Sequence, residues 1–207
     1  MTEAPRTLSD GVVRLRTAEE RDTEAIAAGI VDPDVVRWIG PPEGSAADVL
    51  ALNRRRAARG SPTFCVCEGD DRCVGLVWMN RNADDPSSGS IGYWLLPAAR
   101  GRGLATRAVR LLAAWAQGPG SVVRLRITAD ADNAASRAVA ERSGFREFER
   151  RVRVDAAGRG AQHVVYIPAD TSPNVRVASS TRGAGQPSRE PARRDRSPQA
   201  TDPSGDG

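Results

Sequence analysis

The chain is 207 residues long, enough for one domain with a sizeable core and some length to spare. Its 30 basic residues, set against 26 acidic ones for a formal charge of +4, are all arginine; a Walker-type phosphate loop and a pyridoxal Schiff base both need lysine and are excluded. Cys65, Cys67 and Cys73 are too few and odd in number for a disulfide framework, which fits a reducing cytoplasm, and no apolar run predicts a membrane span or a signal peptide.

In chain order, residues 1–10 read as a flexible leader, and Val12–Arg16 alternates apolar and basic residues as a first strand does. Thr17-Ala18-Glu19-Glu20 has the spacing of a capping box and predicts a helix carrying Ile26 and Ile30, broken at Asp32-Pro33. Val35, Val36, Trp38 and Ile39 form a short apolar segment before Gly40-Pro41-Pro42. Ser45-Ala46-Ala47-Asp48 opens a second helix with Val49, Leu50 and Leu52, closed by Gly60-Ser61-Pro62. Strands are predicted at Phe64–Cys67 and Cys73–Met79, joined as a hairpin, and Asn80–Gly89 reads as a polar loop.

Ile91–Leu96 is an aromatic and aliphatic strand stopped by Pro97. After Gly101 and Gly103, a helix is predicted from Leu104, Ala105, Ala108, Leu111, Leu112 and Trp115, ending at Gly118-Pro119-Gly120. Val122–Thr128 reads as a strand with Val123, Leu125 and Ile127 on one face. Asp132 and Asn133 cap a helix that runs to Ser143 and stops at Gly144. Phe145–Val154 and His163–Ile167 form a last antiparallel pair around a turn at 156–161. From residue 169 to 207 Pro, Ser, Gly, Arg and Asp dominate and no period survives, which reads as a disordered tail after one domain at 11–168.

The strand, glycine turn and helix start of Ile91–Thr106 aim several backbone N–H groups and a helix dipole at one point, an arrangement suited to a phosphate. Taken alone it can also be read as a structural turn. Arg100-Gly101-Arg102-Gly103-Leu104-Ala105, followed about thirty residues on by Asn133-Ala134-Ala135-Ser136 and Glu141-Arg142-Ser143-Gly144-Phe145, resembles the GNAT superfamily of acyl-CoA-dependent N-acyltransferases. The Asn-x-x-Ser form and the opening from Val12 to Gly40 look most like the branch of ribosomal-protein N-terminal acetyltransferases.

The resemblance implies an α+β (α/β) fold, with a mixed, mostly antiparallel central sheet and helices on both faces. It also implies acetyl-CoA as co-substrate, without a metal. The pyrophosphate would sit on the amides of Arg100, Gly101, Arg102, Gly103, Leu104, Ala105 and Thr106, and the pantetheine would pair with Leu95, Leu96 and Asn133. Ser136 would protonate the leaving thiolate; as a bare residue it reads as a serine bonding its own helix turn. Asn133 reads equally as a plain N-cap, and Trp38 and Tyr93 as acceptor-pocket walls or core. In many relatives a carboxylate serves as base where this chain has Ser90 and Arg107, which leaves water, Glu43 or Glu68.

The three cysteines and His163 lack zinc-ligand spacing and read as structural. Arg54, Arg55, Arg56 and Arg59 read as a solvated face or as a patch for an acidic partner, such as the ribosome or nucleic acid. The expected acceptor is a peptide or protein N-terminal amine, with a small-molecule amine second and a non-catalytic acyl-CoA-binding module as the contrasting reading. A homodimer is compatible with the resemblance, and no membrane partner is expected.

Overall fold

The computed structural model describes residues 5–41, 44–154 and 160–169. The expected tail, Glu43 and most of the 156–161 turn lie outside these residues.

Eight strands form one sheet: β1 Thr7–Ser9, β2 Val13–Thr17, β3 Thr63–Glu68, β4 Arg72–Arg81, β5 Ser88–Leu95, β6 Arg124–Asp130, β7 Phe145–Val154 and β8 Gly160–Pro168. Their spatial order is β1-β2-β3-β4-β5-β6-β8-β7. Neighbours are antiparallel except β5 and β6, which run parallel. A parallel pair needs a crossover, supplied here by the helix α4 at Leu104–Gln117.

The other helices are α1 Thr23–Ile30, α2 Pro33–Ile39, α3 Ala46–Ala58 and α5 Ala134–Arg142. Both faces of the sheet are covered. On one, the apolar stripe of α4, including Leu104, Ala108, Val109, Leu112 and Trp115, packs with Leu15, Val77, Ile91, Leu125 and Ile127, and α5 adds Ala140. On the other, Ile26 of α1, Val35 of α2 and Leu50 of α3 pack on Cys65, Leu76 and Trp94. Trp94 fits because α1 presents a glycine to it: a Cβ at Gly29 would lie 2.1 Å from the indole.

Local chemistry explains the departures from the sequence reading. Thr17 closes β2, and the capping box sits two residues later. Glu19 and Asp22 cap a short 3-10 turn at Glu20–Asp22 that leads into α1. Asp22 also receives the Arg16 guanidinium at 2.7 Å and 2.8 Å, which explains a buried arginine in an otherwise alternating strand. The apolar segment after Asp32 is the helix α2, with Pro33 in its first turn and Asp32 accepting the N–H groups of Asp34 and Val35. Thr7–Ser9, expected in the leader, pairs with β2 as an edge strand. β4 and β5 extend into the predicted loop, and Val122 rather than Val123 enters the core ahead of β6.

The parting of two strands opens the sheet at the candidate site. Pairing between β5 and β6 runs only from Ser88–Arg124 to Ile91–Ile127. Beyond it, Gly92–Leu95 stays with β4 while Thr128–Asp130 stays with β8, so the two strands part.

Candidate active site

The gap between β5 and β6 exposes a strand edge. Leu96 N–H donates to Val74 O at 2.9 Å, and Asn82 N–H to Ser88 O at 2.9 Å. These bonds fix the phase of the antiparallel β4–β5 ladder: even-numbered residues of β5 bond β4, and odd-numbered ones turn their backbone groups toward β6. Past Ile91, the N–H and C=O of Tyr93 and the N–H of Leu95 therefore face the gap. Leu96, expected to share in this role, has its N–H committed to β4. The Leu95 carbonyl accepts Arg100 Nε at 3.0 Å.

Beside the end of β5 lies the glycine loop. Pro97–Ala99 forms a 3-10 turn in which Arg100 N–H returns to Pro97 O at 3.1 Å. Gly101 and Gly103 have φ of +73° and +77°, left-handed values that glycine adopts without a Cβ penalty. Gly103 caps α4, and no hydrogen bond is made among the described residues by the N–H groups of Gly101, Arg102, Gly103, Leu104, Ala105 or Thr106. Six unpartnered donors, three of them in the first turn of a 14-residue helix, form a cradle suited to an anion.

The arginine side chains of this segment are engaged elsewhere. Arg100, expected in the cradle, clamps α2 to the loop through Asp34 at 2.6 Å and Asp32 at 2.5 Å. The guanidinium of Arg100 is the main reason that the Asp32 carboxyl lies below its ordinary range. Arg102 pairs with Glu68, one of the candidate bases beside water and Glu43, and Glu68 does not line the cleft. Arg107 meets Asp10 at 2.8 Å. Burial opposes the Asp10 charge, yet the amides of Val13 and Val12 and the Arg107 guanidinium bring its pKa to about 2. The cradle is thus a backbone device.

Across the gap, Asn133 caps α5 by accepting Ser136 N–H at 2.9 Å. The cap uses only the amide oxygen, and the Asn133 NH2 makes no hydrogen bond among the described residues. Ser136 Oγ lies 2.9 Å from Tyr93 OH, rather than bonding its own helix turn. Burial pushes the Tyr93 phenol up to about 12, the Ser136 bond pulling the other way. At neutral pH Tyr93 therefore holds its proton and serves as a neutral partner for the serine.

A cleft of about 650 Å³ joins these parts, lined by Gly101, Ala105, Tyr93, Asn133 and Ser136 on the α4–α5 side. The same cleft is bounded by Trp38 and Ile39 of α2, Trp78 and Gly92, and Thr128, Asp130, Arg153 and His163. Strand alternation sorts the two sides. Ile91, Tyr93 and Leu95 share one face with Ile127, and Gly92, Thr128, Asp130 and His163 lie on the other. Tyr93 is thereby separated from Trp38, with which it had been grouped as an acceptor wall. Trp38 is half-buried with Arg37 stacked 4.4 Å from its ring. Trp78 lies flat over Gly92, where a Cβ would come within 2.5 Å of the indole.

Other expected features fall away from the cleft. Arg54, Arg55 and Arg59 are exposed and Arg56 is half-buried, as a mostly solvated helix face. Asp22, Cys65 and Cys73 bring ligand atoms within 4.8 Å of one another, but both Asp22 oxygens already face a guanidinium, which opposes a second cation there. Burial pushes the Cys67 thiol up to about 12. His163 sits on β8, apart from these cysteines. The Arg100 clamp, the Tyr93–Ser136 bond and the cleft position of His163 carried no sequence signal, since each joins residues 30 or more positions apart.

Comparison with known proteins follows the same lines. The acetyltransferase (GNAT) domain family matches residues 13–146. RimJ of Mycobacterium smegmatis, solved with CoA-disulfide, superposes with a TM-score of 0.67 at 26% identity, covering 80% of this chain and 89% of that one. The ribosomal-protein-S5-alanine acetyltransferase of Vibrio fischeri gives 0.64 at 20% identity over 81% and 99%. The microcin C7 self-immunity acetyltransferase MccE, solved with acetyl-CoA and AMP, gives 0.66 at 18% identity over 80% and 97%. A search of curated protein sequences finds no match.

Proposed function

The chain belongs to the GNAT acetyltransferase family, and on that premise we propose that it transfers the acetyl group of acetyl-CoA to a primary amine by direct attack, the acceptor being a peptide or protein N-terminal α-amine. One observation carries the donor half: six N–H groups without a partner among the described residues lie at the head of α4, where Gly101 and Ala105 line the cleft that holds Ser136. They fit the pyrophosphate of coenzyme A, which here meets no lysine and needs none. The Tyr93 and Leu95 edge of β5 accepts the amide-bearing pantetheine as an added strand, and Asn133 offers its free NH2 to it. Leu95 N–H is then the donor that stabilises the oxyanion as the thioester carbonyl is attacked.

The amine nitrogen forms the new bond to the carbonyl carbon, and the C–S bond breaks with its electron pair on sulfur. Ser136 Oγ gives its proton to the thiolate, held in position by Tyr93. The proton that the neutral amine nitrogen loses as it becomes the amide restores the serine hydroxyl. The acceptor class is supported by the Asn133-x-x-Ser136 form, which resembles ribosomal-protein N-terminal acetyltransferases, and a ribosomal-protein-S5-alanine acetyltransferase shares the fold. Its setting is the cytoplasm, consistent with three buried cysteines that are all free thiols. The catalytic unit is residues 11–168, with 169–207 as an appended tail.

Release of free thiol from acetyl-CoA with a panel of amines and an N-terminal peptide library tests the proposal. Turnover selective for peptide α-amines supports it, and turnover with small amines alone moves the acceptor to that class. Tight acetyl-CoA binding without thiol release from any amine would make the chain an acyl-CoA-binding module.

A further inference from the structure

The geometry points to His163 as the group that takes the proton from the incoming amine, a role that rests on the acetyl-transfer reading above. An α-amine with a pKa of roughly 8 is mostly protonated at pH 7 and cannot attack until it loses that proton. Ser136 and Tyr93 stand on the coenzyme side of the gap, so a base must come from the opposite face of the sheet, where the amine enters. The cleft lining on that face offers few groups. Asp34 is held by Arg100 at 2.6 Å, and Arg100 and Arg153 are cations that accept no proton. Asp130, Asp132 and His163 remain; Asp132 is exposed in the turn after β6, whereas Asp130 and His163 stand in the strands that wall the cleft.

These two are direct cross-strand partners in the β6–β8 register, so their side chains leave the sheet side by side on the acceptor face. Asp130 accepts Asp132 N–H at 2.9 Å through one oxygen, which leaves the other for a neighbour. A carboxylate beside an imidazole can orient its ring, and histidine is the side chain type most often used as a general base. From β7, Arg151 lies opposite His163 but pairs with Glu149 at 3.7 Å, and Arg153 stands further along the cleft wall. His163 is the chain's sole histidine.

In the step itself, the ammonium proton passes to the ring nitrogen of His163, directly or through one water, and from there to solvent. The neutral amine then attacks the thioester carbonyl, and Ser136 serves the departing sulfur from the other side. Acid and base thus approach the reacting carbon through the two faces of one sheet, which the parting of β5 and β6 makes possible.

The test compares wild type and His163→Gln with two amines: an alanine-initiated peptide, and trifluoroethylamine, which is already neutral at pH 7. The variant is expected to lose about a hundredfold in kcat/KM with the peptide at pH 7, the low end for a general base. It should recover as the pH rises past the amine's own pKa, and stay within about twofold of wild type with trifluoroethylamine. Acetyl-CoA affinity, measured alongside, should not change and reports that the fold is intact. Asp130→Asn, which removes the carboxylate beside the ring, is expected to lower kcat/KM with the peptide by less than His163→Gln does while sparing trifluoroethylamine. Equal losses with both amines, or no loss with either, would overturn the role of His163 alone. No thiol release by the wild type with any amine would overturn the acetyl-transfer reading and this role with it.

Discussion

Arg100→Ala tests whether the arginine nearest the glycine loop serves the fold rather than the anion. The guanidinium, 34% exposed, holds Asp32, 9% exposed, and Asp34, 63% exposed, while its Nε bonds the Leu95 carbonyl. The open Asp34 pair is worth about 0–1 kcal/mol. The sheltered Asp32 and Leu95 bonds are of the charge-assisted kind, about 1.5–3 kcal/mol, reduced because water reaches a third of the guanidinium. Asp32 keeps its bonds from the Asp34 and Val35 amides at 3.1 Å and 3.2 Å, so no bare charge is left behind. The expected loss is about 2 kcal/mol, or a fall in Tm of about 4–8 °C. Because Arg100 lowers the Asp32 pKa, the stabilisation is present above the unfolded carboxyl pKa of about 4 and fades as the pH falls below it, so the Tm gap should narrow in acid. Calorimetric melts from pH 3 to 7 beside an acetyl-CoA titration read both quantities. A tenfold weaker acetyl-CoA affinity with an unchanged Tm would mean that Arg100 binds the phosphate after all.

Ser136→Ala should lower turnover about a hundredfold at saturating substrate. Tyr93→Phe should lower it by less and add little in the double variant, because the phenol acts through the serine; additive losses would separate the two residues. Gly29→Ala should destabilise by about 1–3 kcal/mol, because overpacking against Trp94 outweighs the roughly 1 kcal/mol gained in helix propensity; an unchanged or higher Tm would contradict the packing. Asp22→Asn should cost about 1–3 kcal/mol, less than an unpaired buried charge would, because Arg16 keeps its bond to Asp71 at 2.9 Å. Burial opposes the Asp22 charge, but the Arg16 bond holds its pKa below the ordinary value. Its contribution is therefore complete above about pH 4 and lost below, and the variant should have a flatter acid-stability profile between pH 5 and 2; profiles of equal slope would refute this assignment.

Much of the donor half of the site was written in local sequence. Gly101 and Gly103 set a left-handed turn, Asn133 caps a helix, and the apolar period of α4 fixes which face it buries. Each depends on neighbours within about a turn, and such interactions read through in one dimension. The same locality explains the near misses. Thr17-Ala18-Glu19-Glu20 and Glu19–Asp22 both offer an acceptor at capping distance, and only the pairing of β2 with β3 claims Thr17 for the sheet. Val35–Ile39 is too short to show its period, and Asp32 with Pro33 decides for helix.

The acceptor half was decided by tertiary structure. Tyr93 meets Ser136 across 43 positions of sequence, Arg100 meets Asp32 across 68, and His163 faces Asp130 because β8 lies against β6. None of these pairings follows from spacing. They depend on the order of strands in the sheet and on the point where β5 and β6 cease to pair. The sequence by itself determined a cradle of open amides at the head of a helix, since backbone N–H groups and two glycines suffice. Which side chains line the cleft was settled only when the sheet brought distant strands together and then let two of them part.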